Sequence, residues 1–249
     1  MKIRLYRNAT ILLKYEGKSF LIDPYFAEEF SLPSYTGKSK NPMVGLPVTK
    51  EKILEDIDTV IISHLHSDHF DSVAQKCIPK NMPILCQIED SASIKKMGFT
   101  NVTEISKTYN LGKITIERIS GQHGTGEVLK DMGIVSGFYF SSEDEPDLYW
   151  TGDTILTEEI KKVLKQKGPS VVITHSCGAE WGDHVKIVMD EYQTIEVCKL
   201  LPKSVVIATH MDTLDHSTVS RIMLRQFAQE NEISENQLRI PADGELISI

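Results

Sequence analysis

The chain has 249 residues, of which 41% are hydrophobic and 25% are charged, and its formal net charge at pH 7 is -8. These values are typical of a globular protein with a packed core, and they exclude a disordered chain, a collagen-like chain and a coiled coil. Because the net charge is negative and a polyanion would be repelled, we expect no nucleic acid partner.

Strand-like and helix-like segments occur in two sections of similar form. In the first section, strands are expected at 2–6, 10–15, 18–22, 59–62 and 84–86, and helices at 49–56 and 91–97. In the second, strands are expected at 113–119, 133–140, 148–151, 171–174 and 205–208, and helices at 158–165, 191–200 and 217–230. Two such sections predict two sheets packed face to face with helices outside. The expected fold is of the α/β (α+β) class, a four-layer αββα sandwich in a single domain, residues 1–249.

A long loop, residues 24–48, follows the first three strands. It contains four prolines and two glycines, a density that leaves no room for a long regular element. Long loops inside compact domains are often functional. We expect this loop to close over the site, with Tyr35, Lys38 and Lys40 as candidate substrate-binding residues.

The N-terminus and the cysteines indicate a cytoplasmic protein without membrane association. Residues 1–6 alternate apolar and polar side chains and lack the continuous apolar stretch of a signal peptide. No uncharged apolar run approaches the roughly 18 residues needed to cross a bilayer. The cysteines are widely spaced and form no CxxC pair, so reduced thiols are expected at Cys77, Cys86, Cys177 and Cys198. The sequence is compatible with a homo-oligomer.

The stretch Ser-His-Leu-His-Ser-Asp-His, residues 63–69, follows a predicted buried strand and suggests a metal site. His64 and His66 are two residues apart on an extended backbone, so both side chains point the same way and can bind one ion. Asp68 and His69 come after the chain has turned and can address a second ion. Crowded imidazoles repel one another when protonated, and metal ligation makes such crowding favourable.

Three further candidate ligands follow other predicted strands. His123 lies in Gly-Gln-His-Gly, Asp153 in Thr-Gly-Asp-Thr, and His210 in Ala-Thr-His. Two metal ions need more ligands than the first stretch offers, and these three residues provide them.

These stretches, in this order and over nearly the whole chain, resemble the metallo-β-lactamase fold superfamily. The segments Asp23-Pro24, Lys40-Asn41-Pro42, Ser-Cys-Gly-Ala at 176–179 and His-Met-Asp at 210–212 resemble its branch of ascorbate-6-phosphate lactonase-like hydrolases.

The resemblance implies two metal positions joined by a shared carboxylate. Its first metal would be held by His64, His66 and His123, its second by Asp68, His69 and His210, and Asp153 would bridge both. Zinc suits a nitrogen-rich ligand set best, and manganese and iron accept the same ligands. A water between the two ions would be acidified, and Asp68 and Asp153 would count as catalytic residues.

The function expected from these features is a dinuclear, metal-dependent hydrolase that uses metal-bound hydroxide on a small ester, lactone or phosphoester, including an anionic sugar phosphate. The alternatives are a phosphodiesterase or nuclease, which the acidic balance disfavours, and an oxidoreductase of the same fold. Oxygen-reducing relatives carry Glu where His66 stands. A non-catalytic binding module is disfavoured because all seven ligand positions hold competent residues.

Several other residues have open roles. His216, six residues after His210, is the best further candidate for a catalytic role, whereas His175 and His184 are left undecided. Cys177 is disfavoured as a nucleophile because a metal-activated water would already serve as one. Asp71 and Asp183 either orient imidazoles or lie on the solvated surface.

Overall fold

The computed structural model describes residues 1–249, with sixteen strands and seven helices. The strands are β1 (Lys2–Arg7), β2 (Thr10–Tyr15), β3 (Lys18–Ile22), β4 (Thr59–Ile62), β5 (Ile84–Gln87), β6 (Val102–Ile105), β7 (Thr108–Leu111), β8 (Ile114–Ser120), β9 (Ser136–Ser141), β10 (Leu148–Trp150), β11 (Val171–His175), β12 (Glu180–Trp181), β13 (Val185–Lys186), β14 (Val205–Thr209), β15 (Leu238–Arg239) and β16 (Leu246–Ser248). The helices are α1 (Lys50–Leu54), α2 (Ser72–Cys77), α3 (Ile88–Lys96), α4 (Leu129–Met132), α5 (Glu158–Lys167), α6 (Glu191–Leu200) and α7 (Arg221–Glu230). None of these helices has both the length and the apolar character that crossing a membrane requires.

Two seven-stranded sheets form the centre of the fold. Their strand orders are β16-β1-β2-β3-β4-β5-β6 and β15-β14-β11-β10-β9-β8-β7. In the first sheet β3 to β6 run parallel, and in the second β10, β11, β14 and β15 run parallel. The carboxyl ends of parallel neighbours meet at one edge of a sheet, so each sheet delivers several loops to the same place.

Three apolar clusters fill the spaces between the four layers. One lies between the sheets and includes Phe20 from the first sheet and Phe138 and Trp150 from the second. Side chains alternate along a strand, so the opposite face of the first sheet packs against α1, α2 and α3. The opposite face of the second sheet is covered by α5, α6 and α7. The expected four-layer αββα sandwich is therefore confirmed.

Several short elements lie outside the sequence-based prediction: α2, α4, β6, β7, the hairpin β12-β13, β15 and β16. They are too short to show a periodicity of their own and depend on neighbours for their hydrogen bonds. The last helix begins at Arg221 rather than Ser217, because the Ser220 hydroxyl accepts a hydrogen bond from the Met223 amide and caps it there. The 24–48 loop contains only a single bridge, Leu32 to Asn41, in agreement with its composition.

Gly137 permits a close approach of two backbones that positions the turn after β10. A Cβ atom on Gly137 would lie 2.6 Å from the carbonyl oxygen of Thr151. On the other side of the same contact, a Cβ on Gly152 would lie 2.5 Å from the Ser136 carbonyl oxygen. Only glycine allows both approaches, and the turn they define carries Asp153.

We predict that Gly137→Ala destabilises the protein, because backbone atoms of β10 and the following turn must move to accommodate the methyl group. The free energy of unfolding should fall by about 1–3 kcal/mol, which lowers Tm by several degrees for a chain of this length. Gly45→Ala is the matched control, since a Cβ there meets only a Glu29 side-chain oxygen at 3.9 Å. Equal thermal stability of the two variants would contradict the role assigned to Gly137.

Candidate metal centre

The candidate metal ligands gather where the strand ends of the two sheets converge. In the second sheet, β10, β11 and β14 are adjacent and parallel, and Asp153, His175 and His210 lie at or just after their carboxyl ends. From the first sheet, β4 ends at Ile62 and leads directly into residues 63–69. The sheet geometry thus brings together residues that are up to 146 positions apart, from His64 to His210.

Four groups of three potential ligands form at this edge: two include Asp153, with His64 and His69 or with His175 and His210, and two sets do not. In each set the ligand atoms lie within 4.8 Å of one another; the first is His64, His66 and His123, and the second is Asp68, His69 and His210. In the second set, Asp68 Oδ2 lies 3.3 Å from His69 Nε2 and 3.2 Å from His210 Nε2. The two sets are those expected from the sequence.

Asp153 lies between the two sets. Its Oδ2 atom is 3.1 Å from His69 Nε2 in one set and 3.3 Å from His123 Nε2 in the other. The same oxygen is 3.9 Å from His64 Nε2. One carboxylate oxygen therefore faces both groups of nitrogen atoms.

Hydrogen bonds donated by Nδ1–H orient three of the imidazoles. His64 Nδ1 lies 2.9 Å from the Ser63 hydroxyl, His69 Nδ1 lies 2.7 Å from Asp23 Oδ2, and His123 Nδ1 lies 2.7 Å from the Ile187 carbonyl oxygen. Because each partner accepts a hydrogen bond, Nδ1 carries the proton and the Nε2 lone pair stays free. The buried Nε2 of His64 has no hydrogen-bond partner, which fits a metal ligand.

Burial keeps the imidazoles of the first set neutral. It lowers the pKa of His64 well below its usual value, and the charge of neighbouring His69 acts in the same direction. Burial also lowers the pKa of His123, to about 4. Neutral imidazole is the form that binds a metal ion.

Buried carboxylates stabilise positive charge in and beside the second set. Burial alone would raise the pKa of Asp153, but the charges of His69 and His210 hold it well below its usual value. Burial opposes charge on His69, yet Asp153 and Asp68 raise its pKa well above the ordinary value. Either protons or metal cations can balance these carboxylates.

His175 is a contact of the centre that sequence reasoning left undecided. It is fully buried, and its Nδ1 lies 2.5 Å from Asp153 Oδ1, the oxygen that does not face both sets. His175 is the last residue of β11, which lies between β10 and β14. Its strand-end position, the signal that singled out His123 and His210, would have placed it at this edge of the sheet, but not in contact with Asp153.

Three further residues hold the ligands in place. Asp23 accepts hydrogen bonds from the backbone N–H and the hydroxyl of Ser63 and also contacts His69, so it links β3 to the centre. The Asn8 side-chain amide donates to the Asp68 carbonyl and carboxylate. Cys177 Sγ lies 3.4 Å from His210 Nδ1. None of these roles has a local sequence signal.

A cavity of about 180 Å³ opens beside the candidate ligands. Its lining includes Tyr35, His216 and Trp181, together with the small helix α4 through Asp131 and Met132. Trp181 Nε1 donates a 3.1 Å hydrogen bond to Asp131 Oδ2, which ties hairpin β12-β13 to α4 across one side of the cavity. The predicted residues Tyr35 and His216 therefore lie at the site, with ring centroids 4.8 Å apart.

The long loop is tied to the segment after His210 by the Asp215 carboxylate. This carboxylate accepts hydrogen bonds from the backbone N–H of Tyr35, the hydroxyls of Ser34 and Thr36 and the Asn41 amide. The contacts hold Tyr35 over the cavity.

The two candidate lysines occupy different surroundings. Lys38 lines a second hollow next to the cavity, which also contains His184. Lys40 is exposed and lines neither of the two hollows. Of the two aspartates with open roles, Asp71 caps α2 and accepts from the Phe26 amide, and Asp183 is exposed on the hairpin.

Comparison with known proteins agrees with the fold. The family model described as a β-lactamase superfamily domain matches residues 18–211. The UPF0173 protein YddR of Bacillus subtilis (strain 168) is 36% identical over 251 residues, covering 98% of this chain and 98% of that protein.

Two crystal structures are similar over the whole chain. The isothiocyanate hydrolase from Delia radicum gut bacteria has a TM-score of 0.96 and 35% identity, covering 100% of this chain and 99% of its own. A possible metal-dependent hydrolase from Veillonella parvula DSM 2008 has a TM-score of 0.96 and 33% identity, with the same coverage. The matched fold, the coverage and the clustered His and Asp side chains lead to one conclusion: the chain belongs to the β-lactamase superfamily, within its metal-dependent hydrolases.

Proposed function

We propose that the chain hydrolyses a small organic molecule at a centre with two adjacent metal positions. One position is formed by His64, His66 and His123, the other by Asp68, His69 and His210, and Asp153 is shared. The observation that carries the proposal is the location of Asp153 Oδ2, within 3.3 Å of a nitrogen atom from each set. A single oxygen in that location fits a bridging ligand.

The donor set fits zinc best and also accepts manganese or iron. It offers five imidazoles and two carboxylates, and nitrogen-rich ligation of this kind suits borderline divalent ions. When bound, such ions supply an acidified water as the nucleophile and stabilise the negative charge that develops on the substrate.

Other residues of the chain position the ligands and the substrate around that centre. Asp23 and the Ile187 carbonyl fix the imidazole rings through Nδ1, so that Nε2 is presented to the centre. We assign His216 as the group that hydrogen-bonds the leaving atom, because its ring lines the cavity and burial lowers its pKa, which keeps it neutral. Tyr35 covers the cavity and excludes water from one side.

The cavity favours a small substrate with an apolar substituent. Six of its 14 lining residues are hydrophobic, among them Met132, Trp181 and Val188. Asp131, the charged lining residue outside the proposed ligand set, is acidic and disfavours an anion inside this cavity. Isothiocyanates are the first class to test because a structure of 35% identity is an isothiocyanate hydrolase. Small esters and lactones are the next classes, and a sugar phosphate would need a cation from outside the cavity.

The rival functions have less support. A nuclease needs room and positive charge for a polyanion, whereas the chain carries a net charge of -8 and the cavity measures about 180 Å³. An oxygen-reducing enzyme is disfavoured because His66 stands where such relatives carry Glu. We also propose that the protein acts in the cytoplasm, which its four free cysteines support.

The proposal predicts turnover in a hydrolysis screen of zinc- or manganese-loaded protein. Butyl isothiocyanate, p-nitrophenyl butyrate, a small lactone, a phosphodiester and a sugar phosphate should be compared at equal concentration. We expect hydrolysis of one of the first three, measured as released amine, p-nitrophenol or acid, because the cavity suits uncharged substrates. Turnover confined to the phosphodiester would overturn the proposed substrate class, and loss of turnover after chelation is the control for metal dependence.

Asp153→Ala should remove more activity than Cys177→Ala by a factor of at least about 100, since loss of a shared ligand disturbs both metal positions. Elemental analysis should give about two ions per chain for the wild type and about one or fewer for Asp153→Ala. Comparable losses of activity in both variants, with metal content intact, would instead identify the Cys177 thiol as the nucleophile.

His175→Leu should weaken metal binding by roughly 10- to 100-fold, because the Asp153 carboxylate loses the hydrogen bond that fixes its orientation. Competition with a chromogenic chelator measures the affinity directly. His184→Leu makes the same change on the exposed hairpin and should bind metal as the wild type does. If both variants retain wild-type affinity, His175 does not position Asp153.

A further inference from the structure

A second hollow of about 510 Å³ adjoins the cavity and has no assigned role. The two spaces share Tyr35, Trp181 and His216 in their linings. We call this second hollow the outer chamber; the rest of its lining is Thr36, Lys38, Glu180, Gly182, His184 and Thr218. A molecule whose reactive group lies at the metal centre has this space available for its other end.

Charge distinguishes the outer chamber from the cavity. Glu180 is the acidic residue of its lining, and both of its oxygens are occupied: Oε1 lies 2.9 Å from Lys186 Nζ and Oε2 lies 2.8 Å from His184 Nδ1. The nearby carboxylate of Asp215 accepts hydrogen bonds from the 34–41 segment. Neither carboxylate forms an ion pair with Lys38.

Lys38 is the cation of the outer chamber that has no partner. This exposed lysine lines the chamber and forms no ion pair and no side-chain hydrogen bond. Lys186, by contrast, contacts Glu180, Thr218 and the Gly178 carbonyl. Thr36 and its neighbours are fixed by Asp215, so the backbone that carries Lys38 has a defined position. An unpaired ammonium group on a fixed loop can form a charge-assisted hydrogen bond with an anion.

We propose that the outer chamber binds a carboxylate at the end of the substrate opposite to its reactive group, with Lys38 as the charged partner. The inference rests on the proposed function and deepens it by naming this substrate feature. A carboxylate is favoured over a phosphate dianion because the chamber offers one free cation. Asp131 on the cavity side repels the same carboxylate, so the substrate binds in one orientation.

Matched substrates and matched lysines test the proposal. Butyl isothiocyanate is compared with 4-isothiocyanatobutanoate, and p-nitrophenyl butyrate with mono-p-nitrophenyl succinate, each at fixed ionic strength and corrected for the uncatalysed rate. In Lys38→Ala, the ratio of kcat/KM for the carboxylate substrate to that for its neutral partner should fall roughly ten-fold. Lys40→Ala removes the same charge two residues away and should keep the wild-type ratio, and Lys38→Arg should retain most of it.

A binding measurement separates failure of this inference from failure of the proposed function. Glutarate is titrated into the metal-loaded protein and followed by tryptophan fluorescence, with glutaramide as the uncharged ligand of the same length. Lys38→Ala should weaken glutarate binding roughly ten-fold relative to Lys40→Ala, with glutaramide binding equal in both. If no substrate is hydrolysed, the proposed function fails while glutarate still tests the chamber. Equal effects of the two lysine substitutions, or no effect of either, would overturn the assignment.

Discussion

The burial of three carboxylates beside one imidazole determines the rest of the site. His69 is fully buried, and its two nitrogens contact Asp23 at 2.7 Å, Asp153 at 3.1 Å and Asp68 at 3.3 Å. Carboxylates of this kind are costly to bury unless positive charge balances them. Asp23, Asp68 and His69 follow strands of the first sheet, whereas Asp153 follows β10 of the second. The edges of both sheets must therefore meet to bring Asp153 to His69. The candidate metal centre and the αββα sandwich are therefore parts of one arrangement.

The clustering of the candidate ligands could be predicted because their geometry follows from local rules. His64 and His66 are close in the chain, and their ring centroids lie 4.4 Å apart in the structure. His123, Asp153 and His210 each follow a strand whose apolar pattern is visible in the sequence. The position of a residue at the carboxyl end of such a strand is largely determined, since the sheet fixes where the strand ends. The same regularity made the four layers predictable.

The supporting contacts could not be predicted because they depend on the order of strands in space. His175 reaches Asp153 only because β11 lies between β10 and β14, and neither spacing nor composition gives that order. The contact of Cys177 with His210 spans 33 positions. The Asp215 carboxylate serves a loop more than 170 positions earlier in the chain, and an isolated Asp carries no sign of such a role. These contacts form only in the assembled fold, because they join residues that are distant in the sequence.

The walls of the cavity lie mainly in short elements that periodicity cannot reveal. Trp181 comes from a hairpin of two-residue strands, Asp131 from a four-residue helix, and Tyr35 from a loop without regular structure. Each is held by a few specific contacts, such as the 3.1 Å bond between Trp181 and Asp131. A change in one of these segments alters the walls of the cavity, while the candidate ligands at the strand ends keep the positions that the sheets give them. The candidate ligands can thus be found in the sequence, whereas the walls of the cavity come from short segments that can vary independently of them.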